Sequence, residues 1–252
     1  MSRLSGKLPP TLGPQVCRWM EANLVHGEGD YYGQPFKLRA WQRAFVYRAY
    51  EVNLDGSRIV KEALLGVPKG NGKTELAAAF CWAEMAGPVV FDRWDATGRP
   101  IGKRRLAPNI PVAAASYEQA DKVFGAAALM CGPEGSPLRE FFDVFEKEIV
   151  QKNGEPGRMY RVAAIAGTND GGLPTFFVAD ELHEWVGRKE RVHIVIANGL
   201  AKRKDAWSLN ISTAGWDTAS LLARMVARGK RIAAGLEPVR SHGAGSGQRR
   251  AS

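Results

Sequence analysis

Gly70-Asn71-Gly72-Lys73-Thr74 follows the apolar run Leu64-Leu65-Gly66-Val67 and precedes an alanine-rich segment. A glycine-rich loop that feeds a helix N-terminus presents a nest of backbone N–H groups to phosphate oxygens. In that setting Lys73 reaches the β- and γ-phosphates of ATP and the Thr74 hydroxyl ligates Mg²⁺. Roughly a hundred residues on, Phe176-Phe177-Val178-Ala179 ends in the acidic pair Asp180-Glu181. An apolar strand of this kind lies inside a sheet and delivers its carboxylates at the carboxyl edge, where open α/β sheets bind ligands. Asp180 is then the metal carboxylate, and Glu181 the group that orients and deprotonates an attacking water.

Each motif has a plainer reading. The full phosphate-loop pattern asks for glycine where Val67 stands, so Gly72-Lys73-Thr74 alone is also compatible with an ordinary turn between strand and helix. Acids that open a helix favour its N-terminal dipole without any chemistry. The strand–loop–helix context and the distance between the two motifs favour the functional reading. Lys69 adds a cation inside the loop, placed to approach the γ-phosphate in cis. His183 and Glu184 extend the acidic segment, but no second histidine sits at a ligand spacing, so His183 reads as a residue that supports the acids from behind or as a helix-surface residue. Cys81, Cys131 and His193 read as structural.

The elements that must position these groups alternate in type. Helical spacing places helices over residues 14–25 and 38–52, the second carrying Trp41, Phe45, Val46 and Tyr50 on one side. A strand over 60–67, the loop 68–72 and a helix from Lys73 follow. A Gly/Pro-bearing stretch then leads to a strand at 110–116 and a helix at 117–130. Short strands are expected at 148–151 and 159–165, then the strand 176–179, a helix at 192–202, a strand at 207–212 and a last helix at 218–232. Strands alternating with helices predict a three-layer α/β fold with a largely parallel sheet.

With both motifs located, the chain resembles the ATPase half of the large subunit of tailed-phage terminases. Phe36-Lys37-Leu38-Arg39-Ala40-Trp41-Gln42 is similar to the adenine-recognition segment, in which Gln42 would read the base edge. Val67-Pro68-Lys69-Gly70-Asn71-Gly72-Lys73-Thr74 resembles the family's variant phosphate loop, which often lacks the first glycine and carries a basic residue. That basic residue is commonly arginine, and lysine cannot make the planar bidentate contact of a guanidinium. Ala113–Ala120 is similar to the next strand–helix junction and Leu173–Glu184 to the acidic segment. Leu209-Asn210-Ile211-Ser212-Thr213-Ala214-Gly215 resembles the coupling motif, with Ser212, Thr213 and Ala214 sensing the phosphate state. The motifs occur in the family's order between about residues 15 and 232.

What the resemblance implies is a P-loop NTPase of the RecA/ASCE kind, using ATP and Mg²⁺ to move double-stranded DNA into a procapsid. Its expected partners are DNA, the portal protein, the terminase small subunit and further copies in a ring, in the host cytoplasm. The chain divides into an N-terminal arm with the adenine segment (1–55), a core (56–232) and a basic tail (233–252). Family members continue into an RNase H-like nuclease domain; here Glu237 is the sole acid after Ile232, so no nuclease activity is expected of this chain. A second cation from a neighbouring subunit has Arg191, Arg203 and Lys103–Arg105 as candidates. Two alternatives stay open: another DNA-dependent P-loop ATPase of helicase type, and a non-catalytic DNA- or portal-binding remnant.

Composition sets the outer bounds. The 252 residues are 45% hydrophobic and 24% charged, ordinary for a globular protein. No apolar run approaches the ~20 residues of a bilayer span, and the first residues lack a signal-peptide core. Three widely spaced cysteines exclude a disulfide framework. The net charge is +9, of which +6 falls from Ala223 onward and only +3 before it. For the core, the link to DNA therefore rests on resemblance and not on summed charge.

Overall fold

The computed structural model describes residues 9–115, 117–163, 173–213 and 219–237. Helices α1 (Gly13–Asn23) and α2 (Ala40–Ala49) come first, joined by a loop with one 3₁₀ turn at Gly29–Tyr31. Strand β1 (Glu62–Gly66) runs into the glycine loop and then helix α3 (Lys73–Ala86). The hairpin β2 (Val90–Trp94) and β3 (Pro100–Lys103) precedes β4 (Asn109–Ala114) and α4 (Tyr117–Met130). Next come α5 (Pro137–Phe141), β5 (Phe142–Val144), β6 (Glu148–Gln151) and β7 (Arg158–Ala163). The chain continues with β8 (Phe176–Ala179), a 3₁₀ turn at Leu182–Glu184, α6 (Arg188–Leu200), β9 (Trp207–Ser212) and α7 (Leu221–Ala233).

Seven strands form one sheet in the order β1-β9-β8-β4-β7-β6-β5. The first five are mutually parallel, and β6 and β5 close one edge antiparallel. Pro111 sits inside β4 although it lacks an N–H. The ladder from β4 to β8 begins only at Val112, past the proline, while the ladder to β7 runs through it.

Side chains alternate across the sheet and give it two different faces. On one, Phe176, Val178, Trp207, Leu209 and Ile211 join α1, α2, α3 and α4 in a single core. Helix α3 is buried nearly all round, from Leu76 through Met85, because small alanines let it lie close between the sheet and the outer helices. On the other, Phe177 and Ala179 pack with Leu182, Trp185, Ile196, Leu200 and Leu222 beneath α6 and α7. Strand β9 shows the division well. Its apolar residues face α3, while Ser208, Asn210 and Ser212 are buried polar residues. Asn210 Oδ1 meets His193 Nε2 at 2.7 Å, and burial holds that imidazole below its usual pKa, so the ring is neutral and donates.

Several boundaries differ from the sequence reading. Helix α6 starts at Arg188 instead of Val192, because Gly187 takes φ +60° and admits the helix earlier. The stretch after α3, read as irregular, is a hairpin whose turn is organised by Asp95, whose Oδ1 accepts the backbone N–H groups of Thr97 and Arg99. Strand β5 was likewise not expected. The expected positions 116, 164–165, Ala214 and the start of the last helix at 218 lie outside the described residues, as does the tail beyond 237. Among the described residues no helix is long and apolar enough to cross a membrane.

Candidate nucleotide site

All five parallel strands point their carboxyl ends the same way. The glycine loop after β1, the acids after β8 and Thr213 after β9 are therefore gathered at one edge of the sheet. Strand β9 lies between the other two. At ~4.8 Å per strand, this sets the loop and the acids about 10 Å apart, room for a terminal phosphate and a water.

The loop has the conformation its glycines permit. Gly70 and Gly72 take φ of +82° and +75°, and Gly72 is the residue from which α3 starts. Asn71 Nδ2 donates to the Pro68 carbonyl at 3.2 Å and closes the turn on itself. The Val67 N–H donates to the Ser212 carbonyl at 3.3 Å, so the loop's first residue is tied directly to β9.

Glu181 is the hub of the site. Its Oε1 lies 3.1 Å from Lys73 Nζ, and both side chains are largely withdrawn from solvent. Its Oε2 accepts from the backbone N–H and the hydroxyl of Thr213, each at 3.4 Å, and lies 3.3 Å from His183 Nδ1. Burial alone would raise its pKa; the Lys73 hydrogen bond and charge, the Thr213 N–H and the His183 charge together outweigh it and hold the carboxyl below its usual range. The backbone of Glu181 is left-handed, with φ +46° and ψ +55°, an uncommon state for a residue with a long side chain. Such strain collects at functional sites, and here it turns the carboxylate back toward the loop.

Asp180 is buried, at 1% exposure. Its Oδ1 accepts the Glu181 N–H at 2.7 Å, and its backbone carbonyl accepts Trp185 Nε1–H at 2.8 Å. Its Oδ2 is buried with no hydrogen-bond partner. Burial, reinforced by the Glu181 charge, pushes its pKa up to about 6. An unpaired buried carboxylate oxygen is costly unless a cation satisfies it, so Asp180 and the half-buried Thr74 fit a hard divalent ion such as Mg²⁺.

A cleft of about 550 Å³ opens over these groups. Lys69, Gly70, Gly72, Lys73, Thr74, Glu181 and Thr213 line it. Pro68 and Asn71 shape the loop from outside the lining. Asp180 does not line the cleft, and Ser212 is engaged with His183, accepting its backbone N–H at 3.2 Å and meeting Nδ1 at 3.0 Å. Lys69 is exposed at the cleft edge. Gln42 is buried, and its Oε1 accepts the Arg39 N–H at 2.8 Å at the start of α2. It does not line the cleft, although its Nε2 stands 3.5 Å from where a Cβ on Gly72 would be.

Sequence reasoning left out one wall. Gly27, Glu28, Glu75, Lys122 and Ala126 also line the cleft, and Glu75 Oε1 fastens the wall by accepting the Gly27 N–H at 3.2 Å and meeting His26 Nδ1 at 2.9 Å. Glu75 directly follows the loop motif, and this adjacency was the available signal. Arg105, one of the candidate intersubunit cations, is buried against Glu84 at 3.1 Å and cannot reach another subunit's site.

The family model for the terminase large subunit, ATPase domain, matches residues 40–230. The gene 13 protein of Mycobacterium phage L5 is 30% identical over 201 residues, covering 77% of this chain and 32% of its own length. The terminase large subunit of Enterobacteria phage HK97 is 26% identical over 217 residues, covering 84% of this chain and 39% of its own. In fold, the crystal structure of the HK97 large terminase superposes with a TM-score of 0.71 at 22% identity, over 90% of this chain and 43% of that one. The chain thus spans 32–43% of the length of these relatives. Its mostly parallel sheet, its glycine loop and the match over 40–230 together place the chain in the terminase large-subunit ATPase-domain family.

Proposed function

We propose that the chain binds Mg²⁺·ATP in the 550 Å³ cleft and hydrolyses it to drive double-stranded DNA into a procapsid. The observation that carries the chemistry is Glu181, whose carboxylate bridges Lys73 on the phosphate loop and Thr213 at the end of β9. Phosphate oxygens compete for Lys73 Nζ. When they take it, Glu181 loses the partner that depresses its basicity and becomes free to accept a proton from water. Thr74 and Asp180 would hold Mg²⁺, which supplies charge neutralisation on the phosphates. Lys69, exposed on the loop, adds positive charge from the same chain. Thr213, with Ser212 tying β9 to the loop and to His183, registers the change at Glu181; Ala214 continues this coupling segment. Gln42 would read the adenine edge through its Nε2, its carbonyl oxygen being committed to the α2 N-terminus.

The proposal keeps the division into a leading segment 1–55, a core 56–232 and a tail 233–252. Portal protein, small subunit and other copies in a ring are the partners, and the host cytoplasm the compartment. Glu181→Gln tests the chemistry, with phosphate release expected to fall at least about a hundredfold while nucleotide affinity holds. Turnover unchanged in that variant would remove Glu181 from the reaction.

A further inference from the structure

We infer that the outer face of α6 and the segment after it grips the DNA backbone. This rests on the reading that the chain acts on double-stranded DNA. Between residues 188 and 205 there are six Lys/Arg and two acids, a local excess that the +3 of the first 222 residues conceals. Several cations elsewhere are paired, Arg43 with Glu21, Arg93 and Lys103 with Asp92, Arg104 with Glu155, and exposed cations in no ion pair, such as Lys37 and Arg99, are spread thinly along the chain instead of clustering. Here Glu190 is turned away to Arg224 on α7. Among the described residues, Arg188, Arg191, Lys202 and Lys204 are exposed and enter no ion pair.

The helix is firmly seated and presents these residues in one direction. His193, Ile196, Gly199 and Leu200 face the sheet. Arg188, Arg191, Val195 and Asn198 are exposed at spacings of three and four, and Lys202 continues the stripe past the helix end. Arg188 and Lys202 stand about 20 Å apart along the axis, more than the ~12 Å width of a B-DNA major groove. The two basic ends can therefore hold phosphates on either side of one groove, with the uncharged ridge of Ile194, Val195 and Asn198 between them. A motor must grip any sequence, and contacts to phosphate alone meet that need. The stripe begins seven residues after Glu181, so the face that holds DNA is joined by a short stretch to the hydrolytic carboxylate.

The test is binding of the purified chain to a fluorescent 30-base-pair duplex across a salt series. The R188A/K202A variant is compared with wild type and with K37A/R99A, which removes the same charge from exposed positions elsewhere. R188A/K202A should bind at least about tenfold more weakly, with the slope of log affinity against log salt reduced by about 2. Its DNA-independent ATP turnover and melting temperature should stay at wild-type values. An unchanged affinity and slope overturns the inference, as does an equal loss in K37A/R99A. Loss of self-association with DNA affinity retained would make the face a subunit contact and overturn it also. A wild-type chain that binds no duplex while hydrolysing ATP would remove the DNA half of the proposed function along with this inference. Tight wild-type binding that the variant keeps would remove the inference alone.

Discussion

Helix α3 carries an ionic site at each end, and the two are built in opposite ways. Lys73 and Glu84 are eleven residues apart, about 16 Å along the axis. Glu84 is wholly buried, and every direction around it is filled. Its Oε1 accepts from the Tyr50 hydroxyl at 3.0 Å and Trp207 Nε1 at 2.8 Å, with Arg58 Nη2 at 3.4 Å; its Oε2 accepts from Arg105 Nε at 3.1 Å. Arg58 also lies between the Tyr50 and Trp207 rings, 4.7 Å from each centroid. At the other end, Asp180 leaves one oxygen unpaired, Glu181 sits in a strained backbone state, and Lys73 has Glu181 as its ion-pair partner at the wall of an open cleft. A satisfied buried network holds parts in place. An unsatisfied one in a cleft is ready to bind.

That contrast can be broken by experiment. The largest effect is expected at Glu181: Glu181→Gln should lower ATP turnover by about 10²–10⁴, read by phosphate release, while the melting temperature barely moves. The reverse is expected at Glu84. Glu84→Gln leaves two buried guanidinium groups without a counter-charge and should cost about 3–5 kcal/mol in urea unfolding, with the Michaelis constant of the remaining folded protein unchanged. If Glu84→Gln proves as stable as wild type but inactive, the assignment of roles to the two ends is wrong.

Asp180 gives a test through pH. Its folded pKa of about 6 stands above the ordinary 3.8, so the folded chain holds this proton more tightly than the unfolded one. Its contribution to stability is therefore greatest below pH 3.8 and is lost as pH rises through 6. Without Mg²⁺, Asp180→Asn should be more stable than wild type at pH 7 by up to roughly 3 kcal/mol, the gap closing as pH falls toward 4. Metal-dependent nucleotide binding should weaken in the wild type below about pH 6, as the proton competes for the same oxygen. A gap that grows with acidity contradicts this placement of Asp180.

The smallest change is at Thr213. Removing its hydroxyl with Thr213→Ala takes away one long contact to Glu181 and leaves the backbone N–H, so turnover should fall only about 2- to 12-fold. A loss as deep as that of Glu181→Gln would show that the end of β9 takes part in the chemistry beyond holding the carboxylate.

Much of the sheet edge that carries the proposed nucleotide site could be read from the chain. Gly70–Thr74 and Asp180-Glu181 announce themselves because phosphate and metal chemistry admit few residue types. Gly72, for instance, must adopt φ +75° to start α3. The strand at 176–179 is legible from its apolar run, and that at 207–212 from the alternation of Trp207, Leu209 and Ile211 with polar residues. The hairpin at 90–103 was not, since its turn depends on Asp95 accepting N–H groups two and four residues ahead, which looks like any Gly/Pro-bearing loop. The Gly27–Glu75 wall was missed because its members are 48 residues apart in sequence.

By itself, the sequence determined the kind of chemistry and the layered α/β plan. Short-range rules suffice for those: periodicity sets the elements, and glycine, lysine and paired acids at fixed spacing mark the proposed phosphate site. Only the tertiary structure decided what each charge does. It committed Gln42 Oε1 to a backbone N–H, enclosed Arg105 with Glu84, and left Asp180 Oδ2 unpaired. It also decided which cations of the basic stretch 188–204 stay exposed and, among the described residues, outside any ion pair. The reason is electrostatic: a charge's energy depends on its neighbours within a few ångströms and on the water excluded around it, and neither is a property of position along the chain.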